Sequence, residues 1–437
     1  MRGTRPSFLD NKHLNNWAVL DLANTDPRAV NRFVDSLYNE GNSIGYNVEF
    51  PLEGRFTADP RNLDQVLREF RRLCGILKKS SKSDPMILVI TWGKNSVLYN
   101  GLKHEGDVLQ KISTQVIQQK NVLNIKPATL HNILLKINSK LGGTNQTLHS
   151  SNTPHILSKP VMILGADVTH AAPDQKGIKP SIAAVVASMD PKASQYECEI
   201  RIQVRSLAMN YYYIYFILSQ DSSQNEEMIH GMEEITEKLI RAFLNRNNGR
   251  FRPARIIFYR DGVSEGQFLT VLNIELVAIR RACARIAPGW EPPITYIVAQ
   301  KRHKTRLFPV DPRDSVGRNQ NVPPGTVVDH TISHPNEFSF FLASHEGIQG
   351  TTKPTNYHLL WDDFNMTADD IIKMTYYLCH VYARCERSVS YPAPTYYAHL
   401  AAFRARVHDD ALIQSKQATR ENRKRLTEDI GLTNYFM

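Results

Sequence analysis

An α/β protein built from two units is what the sequence predicts, and three observations carry that prediction. Apolar runs of strand length alternate with amphipathic helical patterns in the first third of the chain, three strand-like runs in succession open the remainder, and a polar stretch holding Pro154 (residues 144–159) separates the two styles. The 437 residues, 42% of them hydrophobic, supply more core than one domain usually holds.

In the first unit, "WAVLDLA" (17–23) reads as a strand, "NLDQVLREFRRLCGILKK" (62–79) as an amphipathic helix and "MILVITW" (86–92) as a buried strand. A loop "GKNS", a helical stretch over 97–111, a strand near 112–117 and the helix "PATLHNILLKINSK", opened by Pro127, follow. Strands alternating with helices imply a parallel, Rossmann-like sheet. In the second unit "VMILGADV", "SIAAVVASMD" and "QYECEIRIQV" are strands joined by turns, ahead of a helix around 225–245. The strand "ARIIFYRDG", the helix of "SEGQFLTVLNIELVAIRRACARI" and the strand "ITYIVAQKRH" come next. This is the element order of a ribonuclease H-like fold, which order alone does not prove. The expected domains are 1–155, with the linker, and 156–437.

The formal charge of +10 coexists with 43 acidic residues, so the excess lies on a folded surface and points to a polyanionic partner. No apolar run reaches the ~18 to 20 residues of a membrane-spanning helix, which favours nucleic acid over a membrane. The five cysteines, without a Cys-x-x-Cys pair, fit reduced thiols and an intracellular, cytoplasmic setting. Cys379, His380 and Cys385 lie in "YYLCHVYARC", which reads as a packed helix and lacks zinc-ligand spacing. The start "MRGTRPSFLDNK" carries no signal-peptide pattern and is expected to be a cut from a longer chain.

The two sharpest strands end alike, "VMILGADVTH" in Asp167 and "ARIIFYRDGVSEGQF" in Asp261. Either aspartate alone suits a cap or turn. Two at equivalent strand ends suggest a shared site, because like charges repel unless a cation lies between them, and hard oxygen ligands suit Mg2+ or Mn2+. Such ions, ~3.5 to 4 Å apart, activate water against a phosphodiester. His170 reads as a polar turn residue. Lys136 and Lys140 share one helix face, which by itself is most simply a solvated basic face. A nucleotide-binding first unit finds no support, since neither G-x-G-x-x-G nor a P-loop follows a strand.

"GADVTH", "KPSIAAVVASMD", "RIIFYRDGVSEGQF", "IVAQKRHKTRLF", "GIQGTTKPTNYHLLWDD" and "RSVSYPAPTYYAHLAAFRARVH", in that order, resemble the PIWI domain of Argonaute proteins, with the general impression of a fungal, quelling-type member. The part holding "VLYNGLKHEGD", "STQVIQQKN" and "LLKINSKLGG" resembles the family's MID domain, and no counterpart of its N-terminal and PAZ domains is present. The resemblance implies a guide-dependent endoribonuclease of RNA silencing, acting on target RNA paired to a small guide RNA with a 5′ phosphate, with silencing-complex proteins as further partners; the alternative is a platform that holds a guide and does not cut. It implies metal-binding roles for Asp167, Asp261 and His399, with Glu227 as the remaining catalytic acid and Glu226 as its alternative. Residues 210–223 look like an insertion relative to the family. It further implies that Tyr99, Lys103, Gln115, Lys136 and Lys140 gather around the guide phosphate, that Arg404 reaches into this pocket, that "WGKNSV" reads the first base, and that residues 301–308 track the guide backbone.

Overall fold

"MILVIT" is apolar at every position because its strand is covered on both faces. The structure, a computed structural model, describes residues 8–80, 82–172, 175, 179–203, 227–431 and 435–436. Residues 210–223, Glu226 and Met437 lie outside them. The first unit has β1 (Trp17–Asp21), α1 (Pro27–Ser43), β2 (Phe56–Thr57), α2 (Leu63–Lys78), β3 (Met86–Thr91), α3 (Ser96–Lys103), β4 (Ser113–Gln118), α4 (Gln119–Leu123) and α5 (Pro127–Lys140). Its sheet is parallel, in the order β2-β1-β3-β4, and the six residues of β3 are all buried. Helix α2 starts where the Asn62 side chain accepts from the Gln65 amide, and it buries Val66, Phe70, Leu73, Cys74 and Leu77 along one stripe.

The helix expected over 97–111 is regular only to Lys103. Beyond it the chain widens into a π-type turn, His104–Gln110, closed by Lys111 in the left-handed region and by the Ile112 amide bonding to Gly106. Gly106 permits the close approach, since a β-carbon there would come within 2.8 Å of the Thr114 methyl. The widened turn holds Asp107 beside cations described below.

The second unit contains β5 (Val161–Thr169), β6 (Ser181–Ser188), β7 (Tyr196–Gln203), α6 (Met232–Arg246), β8 (Arg255–Asp261), α7 (Phe268–Val271), α8 (Val277–Ile286), β9 (Ile294–Gln300), β10 (Thr326–Val328), β11 (Ser339–Ala343), β12 (Thr355–Asp362), α9 (Ala368–Leu378), α10 (Ala393–Gln414) and α11 (Arg420–Ile430). Its eight strands are ordered β10-β11-β12-β9-β8-β5-β6-β7. Strands β5, β8 and β9 run parallel, and β6 is antiparallel to β5 and β7. Two apolar layers flank the sheet, one built with α9 and α10 and the other with α6 and α8.

Gly165 of β5 lies under the start of α10, and a β-carbon there would run into the backbone carbonyl of Pro394. Neither the sheet nor the helix can yield easily, so Gly165→Ala is expected to destabilise the fold by about 2 to 3 kcal/mol. Urea unfolding measures this, and an unchanged midpoint would show that α10 shifts freely.

The packed helix expected through Cys385 is corrected: α9 ends at Leu378, and Cys379 caps it. Apolar side chains still fill the stretch, with Val381, Tyr382 and Ala383 buried, which is why its composition imitates a helix. Its carbonyls are satisfied from the linker instead. Gln146 donates to the carbonyls of His380 and Cys385, both at 2.9 Å, and Asn145 donates to that of Ala383 at 2.6 Å. The linker thereby fastens the two units together.

Candidate functional site

Ala166 pairs with Arg260 in the parallel register of β5 and β8, so the residues that follow, Asp167 and Asp261, leave the carboxyl edge of the sheet side by side. Gly262 then turns the chain at φ 86, a left-handed conformation suited to glycine. Its open side faces the acids. A β-carbon there would lie 3.3 Å from Glu227 Oε2 and 3.8 Å from Asp167 Oδ1.

These groups line a cavity of about 1130 Å³ with His170, His399, Lys301, Arg302, Ser390, Tyr391 and Tyr396. His399 comes from α10 and its Nδ1 is 3.0 Å from Asp167 Oδ2. That hydrogen bond, outweighing burial, raises the His399 pKa. Burial and then the charge of Asp167 push the Asp261 carboxyl up to about 7, so the pair resists full ionisation unless positive charge enters.

Glu227 is held from outside its own segment. Its Oε1 is 2.9 Å from His170 Nε2, while His170 Nδ1 is 3.0 Å from the Ser181 hydroxyl. The turn residue of the sequence reading is thus part of the cavity wall. Glu227 Oε2 is buried with no hydrogen-bond partner among the described residues. Beneath the site lies Arg260, fully buried, which donates to the backbone carbonyls of Glu227 and Asp261 and pairs with buried Glu275 at 3.2 Å. Glu275 also accepts from the Tyr296 hydroxyl at 2.7 Å and the Ile229 amide at 3.2 Å. One satisfied ion pair therefore ties together the two backbone segments that carry Glu227 and Asp261.

The donors suit a hard divalent cation: carboxylate oxygens, one imidazole, an orphaned Glu227 oxygen, and a charge conflict that a cation would relieve. Among the described residues no three histidine, cysteine, aspartate or glutamate side chains stand as a ready-made cage. His399 bonds Asp167 directly, and both line the cavity with Glu227 and Asp261.

A second constellation lies where the two units meet. Lys103 Nζ donates to the Thr114 carbonyl at 2.9 Å and hydroxyl at 2.6 Å. Lys140 Nζ donates to the same carbonyl at 2.7 Å and to Gln115 Oε1 at 2.8 Å. The Tyr99 ring centre is 5.7 Å from Lys103 Nζ. From α10, Arg404 donates to Asp107 at 2.7 Å and to the Tyr435 carbonyl at 3.2 Å. Burial, followed by Arg404, brings Lys103 down to about 7, and burial followed by Lys103 depresses Lys140 well below the usual lysine value. Lys136 is lowered by burial and then by Arg384. Arg384, which the sequence reading missed, comes from the stretch mistaken for helix, and its buried Nε lacks a hydrogen-bond partner among the described residues. No local motif marks it. Burial pushes the Asp107 carboxyl up, but Arg404, followed by Lys103 and His408, outweighs it and holds Asp107 below its usual range, with Lys140, Lys136 and Arg384 as further basic groups of the same region. The region is a ready acceptor for an anion.

Residues 301–308 divide between two surroundings. Lys301 and Arg302 line the acidic cavity, whereas Phe308 is exposed beyond it. No helix among the described residues is long and apolar enough to cross a membrane.

Comparison with known proteins matches residues 86–410 to the Piwi domain family. The fold superposes on Kluyveromyces polysporus Argonaute with a guide RNA at TM-score 0.82 and 25% identity, covering 99% of this chain and 49% of that one. It matches the C-terminal lobe of a budding yeast Argonaute at TM-score 0.82 and 25% identity, covering 99% and 87%. The MID-PIWI domains of N. crassa QDE-2 AGO share the fold at TM-score 0.62 and 21% identity, covering 99% and 100%. This chain spans about half the length of the K. polysporus protein.

Proposed function

The chain belongs to the Piwi domain family and has the MID-PIWI lobe architecture of Argonautes, and from that premise we propose that it anchors a guide RNA by its 5′ phosphate and cleaves the paired target RNA. The observation that carries the nuclease half is the delivery of Asp167 and Asp261 by adjacent parallel strands into one cavity with Glu227 and His399.

Asp167, Asp261 and His399 would hold Mg2+ or Mn2+, which when bound supplies an activated water and neutralises charge on the phosphodiester. Asp167 offers Oδ1 to the cavity while His399 engages Oδ2, and Glu227 directs a buried, unpartnered oxygen inward to orient and accept a proton from the attacking water. His170 fixes the direction of Glu227 through the 2.9 Å contact. The test is cleavage of a guide-complementary RNA with and without Mg2+. A chain that loads guide but never cuts leaves the second reading, a guide-holding platform.

Lys103, Lys136, Lys140, Arg404 and Arg384 would take the guide's terminal phosphate, with Gln115 hydrogen-bonding to it and Tyr99 stacking on the first base. A pH optimum follows. Lys103 protonates near 7 in the free protein, and an anion raises that value, so affinity is full below about 7 and declines as pH rises through it. The phosphate gains its second charge near pH ~6, which opposes binding at lower pH. Affinity for a 5′-phosphorylated RNA is therefore expected to peak between about pH 6 and 7, read by fluorescence anisotropy, while a 5′-hydroxyl RNA shows no such peak. A flat profile for both would remove Lys103 from the contact.

A further inference from the structure

Part of the acidic cavity's wall is built from a cation and an aromatic ring. Lys301, just past β9, and Tyr391, just before α10, line it together. Lys301 Nζ lies 4.9 Å from the centre of the Tyr391 ring, within the ~6 Å reach of a cation–π contact. Tyr391 Oη lies 3.5 Å from Asp261 Oδ1 and donates to it.

A half-buried ammonium beside an aspartate would ordinarily pair with it, because Coulomb attraction grows as water is excluded. Lys301 instead makes no hydrogen bond or ion pair with any described residue: its ammonium lies against the ring face, and Asp261 acts on it only through its charge.

We infer that Tyr391 is a positioning residue for Asp261: its hydroxyl fixes Oδ1, and its ring keeps the Lys301 ammonium off the carboxylate so that Asp261 remains available to a divalent cation. The inference rests on the metal-dependent nuclease reading above. A carboxylate already neutralised by lysine is a poor metal ligand, and one free to rotate is a weaker one. A phenol serves both needs, since its hydroxyl donates without bringing charge.

The experiment is Mn2+ titration of the purified chain, following free Mn2+ by electron paramagnetic resonance, with target cleavage measured alongside and thermal unfolding as the control for folding. Tyr391→Phe keeps the ring and loses one weak hydrogen bond, so Mn2+ affinity is expected to fall about 5-fold. Tyr391→Ala lets Lys301 reach Asp261, with an expected loss of about 30-fold. Adding Lys301→Met to Tyr391→Ala is expected to restore roughly 10-fold of this, an effect that a purely structural role for the tyrosine would not give. Wild-type Mn2+ affinity in both tyrosine variants, or no recovery in the double variant, overturns the inference. Asp167→Asn separates the two levels of argument. If it leaves Mn2+ affinity unchanged, the cavity is not the metal site and both readings fall; if it weakens binding while the tyrosine variants do not, only the role of Tyr391 falls.

Discussion

Target cleavage by Asp167→Ala is expected to drop at least about 1,000-fold, equivalent to ~4 kcal/mol of lost transition-state stabilisation, with guide affinity within about 2-fold of wild type. The separation is physical. Asp167 is only 7% exposed and presents one oxygen toward the cavity beside Gly262, while the other constellation centres on Asp107, with Arg404 and Lys103 acting on it, at the junction of the units. Deleting the carboxylate also removes the charge that raises Asp261, so the fold gains from relieved repulsion part of what it loses in the bond to His399. Asp167→Asn sharpens the result, since it keeps shape and a hydrogen-bonding group but not the charge. Single-turnover cleavage with preloaded guide is the measurement. An Asp167→Ala protein that still cuts would remove these strand ends from the chemistry.

The strand ends carrying Asp167 and Asp261 were legible because a strand leaves a local trace: an apolar run, then an acid, then a glycine or turn. The parallel sheet of the first unit was legible for the same reason. What was not legible depends on contacts between distant segments. His170 reads as a turn residue until Glu227, 57 positions away, is seen to bond to it. Arg384 lies in a stretch whose apolar residues suggest a helix, yet that helix ends at Leu378 because Asn145 and Gln146 satisfy the carbonyls beyond. The burial of Lys103 has no sequence trace either, for its relief comes from the Thr114 carbonyl and hydroxyl. Element boundaries moved wherever tertiary hydrogen bonds replaced helical ones.

The second large effect lies at the guide's end. An RNA with a 5′ phosphate is expected to bind about 2 to 4 kcal/mol more tightly than the same strand with a 5′ hydroxyl, roughly 30- to 1,000-fold, from the charge-assisted hydrogen bonds at stake. The free pocket is electrostatically frustrated: burial with Arg404 lowers Lys103, burial with Lys103 lowers Lys140 and burial with Arg384 lowers Lys136, while the charge of Asp107 opposes the effect at Lys103 and Lys140. A dianion relieves that repulsion as well as making new bonds. Lys140→Ala should therefore reduce the phosphate preference by about 2 kcal/mol while barely changing 5′-hydroxyl binding, and Lys136→Ala should act in the same direction with smaller effect because Lys136 is less enclosed. Asp107→Asn tests the balance from the other side. It removes the partner that orients Arg404 at 2.7 Å, so weaker phosphate binding despite the more positive pocket would show that the geometry of Arg404 outweighs net charge. Tighter binding would show the reverse. Equal affinity of the wild type for both RNA ends would mean that these cations do not receive the guide at all.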